Sequence, residues 1–350
     1  MKQHIHYVAS ADGVNIAWSA LGRGMPLVKA ATWLTHLQYD LESPIWAHWI
    51  DFFSEHFRFT RYDERGCGMS DRQVPDLASS THWVDDLEAV VEAAAIDRPF
   101  ALLGISQGAA TAIRYAVRHP HRISHLILYG GYAVGGNRSD DPVRCEMYRA
   151  VMDVVRLGWG SSNPSFRQLF TSRFVPGGNQ AQLDWFNELC RRTTSAESAG
   201  ALLAARGDID VRDLLHLLRT PTLVLHASHD QVVPFDQGRY LASHIPGAEF
   251  VELDSRNHIL LKSEPAWQEF RRVVLEFTGQ SAAQSAASDG LTLREQELLA
   301  LLREGRSNAQ IAFQLGVAEK TVRNQFSNLY RKLGVHSRVE ALVRTQPVLA

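Results

Sequence analysis

The chain has 350 residues, 45% hydrophobic and 21% charged, with a formal net charge of −2. That length suggests about two or three domains, and the composition is that of globular protein with enough apolar material for a sizeable core. No apolar run reaches the roughly 18–20 residues of a membrane span. Met1-Lys2-Gln3-His4-Ile5-His6 is followed by no apolar stretch that could act as a signal sequence. Cys67, Cys145 and Cys190 have no metal-ligand spacing and read as buried or idle thiols of a reducing compartment. The expectation is a cytoplasmic protein with no membrane contact, no cofactor and no metal.

The charge is unevenly spread. From Leu291 onward there are 9 Lys/Arg against 5 Asp/Glu, and before it 27 against 33. A small basic end on an acidic body is the pattern of a nucleic-acid-binding tail.

In chain order, short apolar runs predict buried strands at Leu27-Val28, Phe57–Thr60, Phe100–Leu103, Leu126–Leu128, Thr222–Leu225 and Glu249–Leu253. Amphipathic patterns predict helices over Trp83–Ala95, Ala109–Arg118, Gln237–Ser243 and Pro265–Phe277. Such alternation argues for a mostly parallel sheet covered on both faces. The stretch 134–218 breaks the rhythm and reads as an inserted helical lid. Its aromatics are Tyr148, Trp159, Phe166, Phe170, Phe174, Trp185 and Phe186. Most are expected to pack between lid helices and a minority to line a pocket.

Gly104-Ile105-Ser106-Gln107-Gly108 lies between a predicted strand and a predicted helix. A serine on so sharp a turn needs small neighbours. Ser106 is the candidate nucleophile, and the N–H of Gln107 can stabilise an oxyanion. A serine nucleophile needs a base and the base an orienting carboxylate. His258 and Asp230 each follow a predicted strand, in the chain order serine, aspartate, histidine. Residues 279–290, small and polar with a glycine at each end, read as a flexible linker.

Beyond the linker the pattern is helical. Thr292 and Glu295 form a candidate capping box, Ser307 is a second cap, and Gly316 supplies a turn. In the helix predicted over Glu319–Leu333, Val322, Phe326, Leu329 and Leu333 face inward. Lys320, Arg323, Asn324, Ser327 and Arg331 form the opposite stripe, which offers groups that can read base edges in a major groove. Lys320, Arg331 and Lys332 can neutralise phosphates.

Two resemblances sharpen this reading. The runs Leu-Thr-x-Arg-Glu-x-Glu (291–297), Glu-Gly-Arg-Ser-Asn-x-x-Ile-Ala (304–312), Lys-Thr-Val-Arg-Asn (320–324) and Lys-Leu-Gly-Val-His-Ser-Arg (332–338) resemble the LuxR/GerE family of helix-turn-helix domains. That resemblance implies a four-helix module over 291–350 that binds double-stranded DNA, usually as a homodimer. By position, Arg323, Asn324 and Ser327 fall where the family reaches bases, and Lys320 and Thr321 where it holds the backbone. The family often has Ser where Ala318 stands and His where Gln325 stands.

Residues 1–278 resemble the α/β-hydrolase superfamily, through the Ser106, Asp230, His258 set and through Arg61-Tyr62-Asp63-Glu64-Arg65-Gly66-Cys67-Gly68-Met69-Ser70-Asp71. Many members carry His-Gly after the third strand. Here that stretch reads Lys29-Ala30-Ala31-Thr32-Trp33, so the backbone of Thr32 or Trp33 would supply the second oxyanion donor. The functional expectation is a LuxR-type regulator whose hydrolase-like domain binds, and can hydrolyse, a small acyl, ester, lactone or aromatic ligand. The alternative is an active serine esterase or lactonase with the helical module as a targeting or autoregulatory device.

Overall fold

Six consecutive apolar or small residues, Phe100–Ile105, form strand β5, and all six are buried. A strand hidden on both faces belongs at the centre of a parallel sheet covered by helices. In the computed structural model it does. The structure describes residues 3–280 except 160, 162 and 164, and residues 293–345 except 316 and 336. The chain divides into two compact units between Phe277 and Thr278.

The first unit is built on eight strands: β1 (His6–Ala9), β2 (Asn15–Leu21), β3 (Pro26–Lys29), β4 (Arg58–Tyr62), β5, β6 (Ile123–Tyr129), β7 (Thr222–Ala227) and β8 (Glu249–Leu253). Their spatial order is β1-β2-β4-β3-β5-β6-β7-β8. β1 pairs with β2, and β2 with β4, in antiparallel fashion; every other pairing is parallel. This is the α/β-hydrolase architecture. One apolar cluster packs the face covered by α1 (Ala47–His56) and α10 (Pro265–Phe277). The other packs the face covered by α2 (Ser80–Ala93), α3 (Gly108–Arg118) and α9 (Phe235–His244).

Between β6 and β7 lie five helices: α4 (Pro142–Gly158), α5 (Ser165–Thr171), α6 (Gln180–Thr193), α7 (Ala196–Gly207) and α8 (Arg212–Leu215). α4 starts on an aspartate cap, Asp141, with proline at its first position, and α6 on a reciprocal Asn179/Gln182 capping box.

The chain leaves β3 toward β4 on one side and returns to β5 on the other, so β3 and β5 are neighbours, with Lys29 at the end of β3 beside Leu103. In an open α/β sheet, a crevice forms at such a reversal, outside the carboxyl ends of the strands. The loop after β3 is pinned there. Both Asp63 carboxylate oxygens accept the N–H of Leu37, and Oδ2 also accepts that of Met69. Arg65 of the same segment is buried against Asp86 and Asp12. The Arg61–Asp71 run therefore acts as a brace behind the crevice.

In the second unit, α11 (Leu293–Arg303), α12 (Asn308–Leu315), α13 (Glu319–Leu333) and α14 (Arg338–Thr345) share a core that includes Leu298, Leu302, Ile311, Phe326 and Leu329. Ser307 and Gln310 cap α12 reciprocally. Ala318 begins α13 without a side-chain cap. The proposed linker residues from 281 on, the Thr292 cap and the Gly316 turn lie outside the described residues.

Candidate active site

Ser106 sits on the turn between β5 and α3 with φ +54, the left-handed region that L-residues avoid. The turn is tight on both sides. A Cβ on Gly104 would come within 2.6 Å of the Ala109 Cα, and one on Gly108 within 2.9 Å of the Ala31 carbonyl oxygen. The two flanking glycines are therefore a packing requirement. They let the loop after β3 lie against the start of α3, and the N–H groups of Gln107, Thr32 and Trp33 have no acceptor among the described residues.

Asp230 and His258 arrive from the loops after β7 and β8. Asp230 Oδ1 accepts the N–H groups of Val232 and Val233, at 2.7 and 3.0 Å, and Oδ2 lies 2.6 Å from Nδ1 of His258. Burial pushes this carboxyl's pKa up, but the charge and hydrogen bond of His258, with His226 and the Val233 N–H, outweigh it and hold it below the ordinary value. The imidazole is fixed from three directions. Gly130, at φ +56, leaves no Cβ where the ring lies. Phe174 sets its ring edge-on, 5.5 Å away. The Phe174 carbonyl accepts the N–H of Ile259 at 3.1 Å. Nε2 of His258 is buried and has no hydrogen-bond partner, so the serine–histidine hydrogen bond is open in this state. Such bonds commonly tighten only when substrate is bound.

Ser106, Gln107, Thr32, Trp33, Asp230 and His258 all line one cavity of 660 Å³, a size ordinary for a small-molecule site. The six residues that the sequence singled out are thus brought together. The expectation for the inserted aromatics needs correction. Tyr148, Phe170, Phe174 and Phe186 line the cavity, a majority of the seven. Trp159 instead stacks on Trp33 at 5.2 Å and Trp185 on Tyr39 at 4.7 Å. Phe170 and Phe186 belong to the packed core as well as to the cavity lining, so these side chains are both core and pocket wall. Sequence reasoning also missed the arginines of that wall, Arg144, Arg173, Arg206 and Arg212. The available signal was Arg206 itself, a lone charge ending the apolar run Ala201-Leu202-Leu203-Ala204-Ala205.

A family model described as serine aminopeptidase, S33, matches residues 49–265. The chain belongs to this α/β-hydrolase family. A second model, of bacterial regulatory proteins of the luxR family, matches residues 289–345 of this S33-family chain, so a hydrolase domain is fused to a LuxR-type helix-turn-helix domain. Its relatives include the AB hydrolase superfamily protein YisY of Bacillus subtilis, 28% identical over 72% of this chain and 92% of that one. The putative carbamate hydrolase RutD of Rhizobium rhizogenes is 26% identical over 66% and 86%. Among solved structures, a hydrolase of Pseudomonas aeruginosa superposes with a TM-score of 0.65 at 23% identity, over 79% of this chain and 98% of that one. That likeness concerns the fold.

In the LuxR-type domain, Lys320, Thr321, Arg323, Asn324, Ser327, Arg331 and Lys332 are all exposed on α13, while Val322, Phe326, Leu329 and Leu333 are buried. Three of the seven are engaged within the helix: Ser327 Oγ donates to the Arg323 carbonyl, Arg331 donates to Asn328, and the Arg323 guanidinium lies 3.9 Å from the Glu319 carboxylate. Lys332 Nζ lies 2.8 Å from Glu295, tying α13 to α11. No helix among the described residues is long and apolar enough to cross a membrane.

Proposed function

We propose that the chain is a DNA-binding transcriptional regulator whose hydrolase domain takes up a small acyl ligand, an ester or lactone or its aromatic relative, and can cleave it. The observation that carries this reading is the pairing of Ser106, strained at the mouth of β5, with a preorganised Asp230–His258 couple around one cavity. In the proposed cycle, His258 Nε2 takes the Ser106 proton as Oγ attacks the ligand carbonyl. Asp230 keeps the imidazole in the tautomer that leaves Nε2 free to accept. The negative oxygen is received by the N–H of Gln107 and an N–H of the Thr32–Trp33 loop. His258 then passes the proton to the departing alcohol, and water, activated the same way, releases the acid from Ser106. The hydrolase names of the relatives accord with such chemistry. The LuxR-type domain supports DNA as the partner, read by α13 as a homodimer on related half-sites.

A second reading is a working esterase or lactonase for which the helical domain is an address or autoregulator. The Asp230–His258 couple favours it, because a pure sensor has no need of an oriented imidazole. Fluorophosphonate labelling tests the chemistry common to both. The wild type should label at Ser106, and labelling should vanish in Ser106→Ala. It should slow by roughly 10³–10⁴-fold in Asp230→Asn, whose amide turns the imidazole to the wrong tautomer. A folded wild type that does not label would leave the pocket as a sensor only.

A further inference from the structure

The cavity wall is rich in donors that meet no acceptor. Nε1 of Trp33, Nε1 of Trp46, Nε2 of Gln107, and both Nε and Nη1 of Arg206 are buried without a hydrogen-bond partner, and all four residues line the cavity. Among the described lining residues the unpartnered acceptors are two, Oε1 of Gln237 and the Nε2 of His258 that serves as the base. Buried polar groups are nearly always paired, so a one-sided surplus calls for an explanation. Arg206 is the centre of it. Its side chain is 4% exposed, one nitrogen donates to the Glu64 carboxylate, and the guanidinium lies 4.8 Å over the Trp33 ring. Trp33 belongs to the loop beside Ser106, so this cation stands next to the reacting centre.

A second cation faces the same space. Arg173 donates Nε to the Gln231 carbonyl at 3.1 Å and has no carboxylate within ion-pair distance among the described residues. The nearby Asp230 has both oxygens committed to His258, Val232 and Val233. Tyr148, also on the wall, lies within electrostatic reach of both Arg173 and Arg206. A guanidinium presents several donors in one plane, the geometry that fits a carboxylate.

We propose that the cavity selects acyl substrates bearing a free carboxylate, received by Arg206 and Arg173 while the scissile carbonyl lies at Ser106. This rests on the reading of the cavity as an acyl-ligand site and names its substrate class: half-esters, or lactones with a carboxylate side arm.

The test compares mono-p-nitrophenyl esters of succinic, glutaric and adipic acid with p-nitrophenyl butyrate and pentanoate, on the full chain. At least one anionic ester should show a kcat/KM tenfold or more above the neutral ones. Arg173→Gln should lower that value tenfold or more and change the neutral esters less than threefold. Arg206 shares its buried site with Glu64, so it is replaced together with it, in Glu64→Gln/Arg206→Met, with the same expectation. Binding of the free dicarboxylic acids to Ser106→Ala, read by calorimetry, separates the two claims. Binding that Arg173→Gln abolishes, with no ester cleaved, upholds the carboxylate site and removes hydrolysis alone. Neutral esters cleaved with no carboxylate preference and no dicarboxylate binding would remove the carboxylate site and leave hydrolysis standing. Equal losses on neutral and anionic esters in Arg173→Gln would also overturn it.

Discussion

Several side chains behind the active site titrate far from where they would in water. Burial raises the Asp40 carboxyl to about 7, with Arg61 and Lys29 drawing it down and Asp63 pushing it further up. Asp63 is raised to about 6, again first by burial, and Lys29 is lowered to about 8 by the same cause. For Asp40 the folded pKa lies above the unfolded one, so the folded chain keeps a proton that the unfolded chain releases between about pH 4 and 7. Its contribution to stability is complete below that window and is lost as the pH rises through 7. Asp40→Asn keeps an oxygen for the His36 N–H that Asp40 Oδ2 accepts and cannot titrate. Urea unfolding at a series of pH values should therefore show a shallower fall in stability from pH 4.5 to 7 in the variant. The difference in slope should be at most about 1.4 kcal/mol per pH unit. Equal slopes would mean that Asp40 is ionised throughout.

At the scale of elements, α13 makes the sharpest prediction. Arg323→Ala should cost about 1–3 kcal/mol of operator binding and relax preference at one base position. Lys320→Ala should weaken binding to every sequence and reduce the salt slope by about one. Gel shifts over a salt series distinguish the two, and indifference to both would displace α13 from the groove. This helix was legible because its inward spacing, Val322 to Leu333, is that of an amphipathic helix. The central strands were legible because parallel strands buried on both faces read as continuous apolar runs. The β1–β2 hairpin was not. β1 is mostly exposed and β2 carries small residues, so neither shows clean alternation. Asp12-Gly13 between them, with Gly13 at φ +86, was a usable turn signal. α1 was missed because its polar face is narrow: Asp51 and Glu55 are exposed one turn apart, while His48, Trp49, Ile50, Phe52 and Phe53 are all buried. The serine, aspartate and histidine stood out by motif and chain order, whereas the Arg206–Glu64 pairing joins residues 142 apart and has no local trace.

For the whole molecule, a ligand can alter DNA binding only by the difference in its affinity for the states that bind and release DNA. Couplings of this kind are typically 1–3 kcal/mol, and they are reciprocal. If the hydrolase pocket governs the LuxR-type domain, operator DNA must change the affinity of Ser106→Ala for its ligand by about 5- to 150-fold. Titrations with and without operator check this directly. Identical affinities would assign the ligand to a step after DNA binding, or make the two domains thermodynamically independent.

The left-handed backbone of Ser106 bears on how this chain came to keep its serine. Holding an L-residue there costs roughly 1–2 kcal/mol, a sizeable part of the 5–15 kcal/mol by which folded domains outlast unfolding. Alanine at this position would retain that strain, since it retains the Cβ; glycine would remove it. A lineage indifferent to the hydroxyl would thus find a more stable protein one substitution away, at Ser106→Gly. Serine persists on the uphill side of that exchange, and drift alone gives no reason for it to stay there.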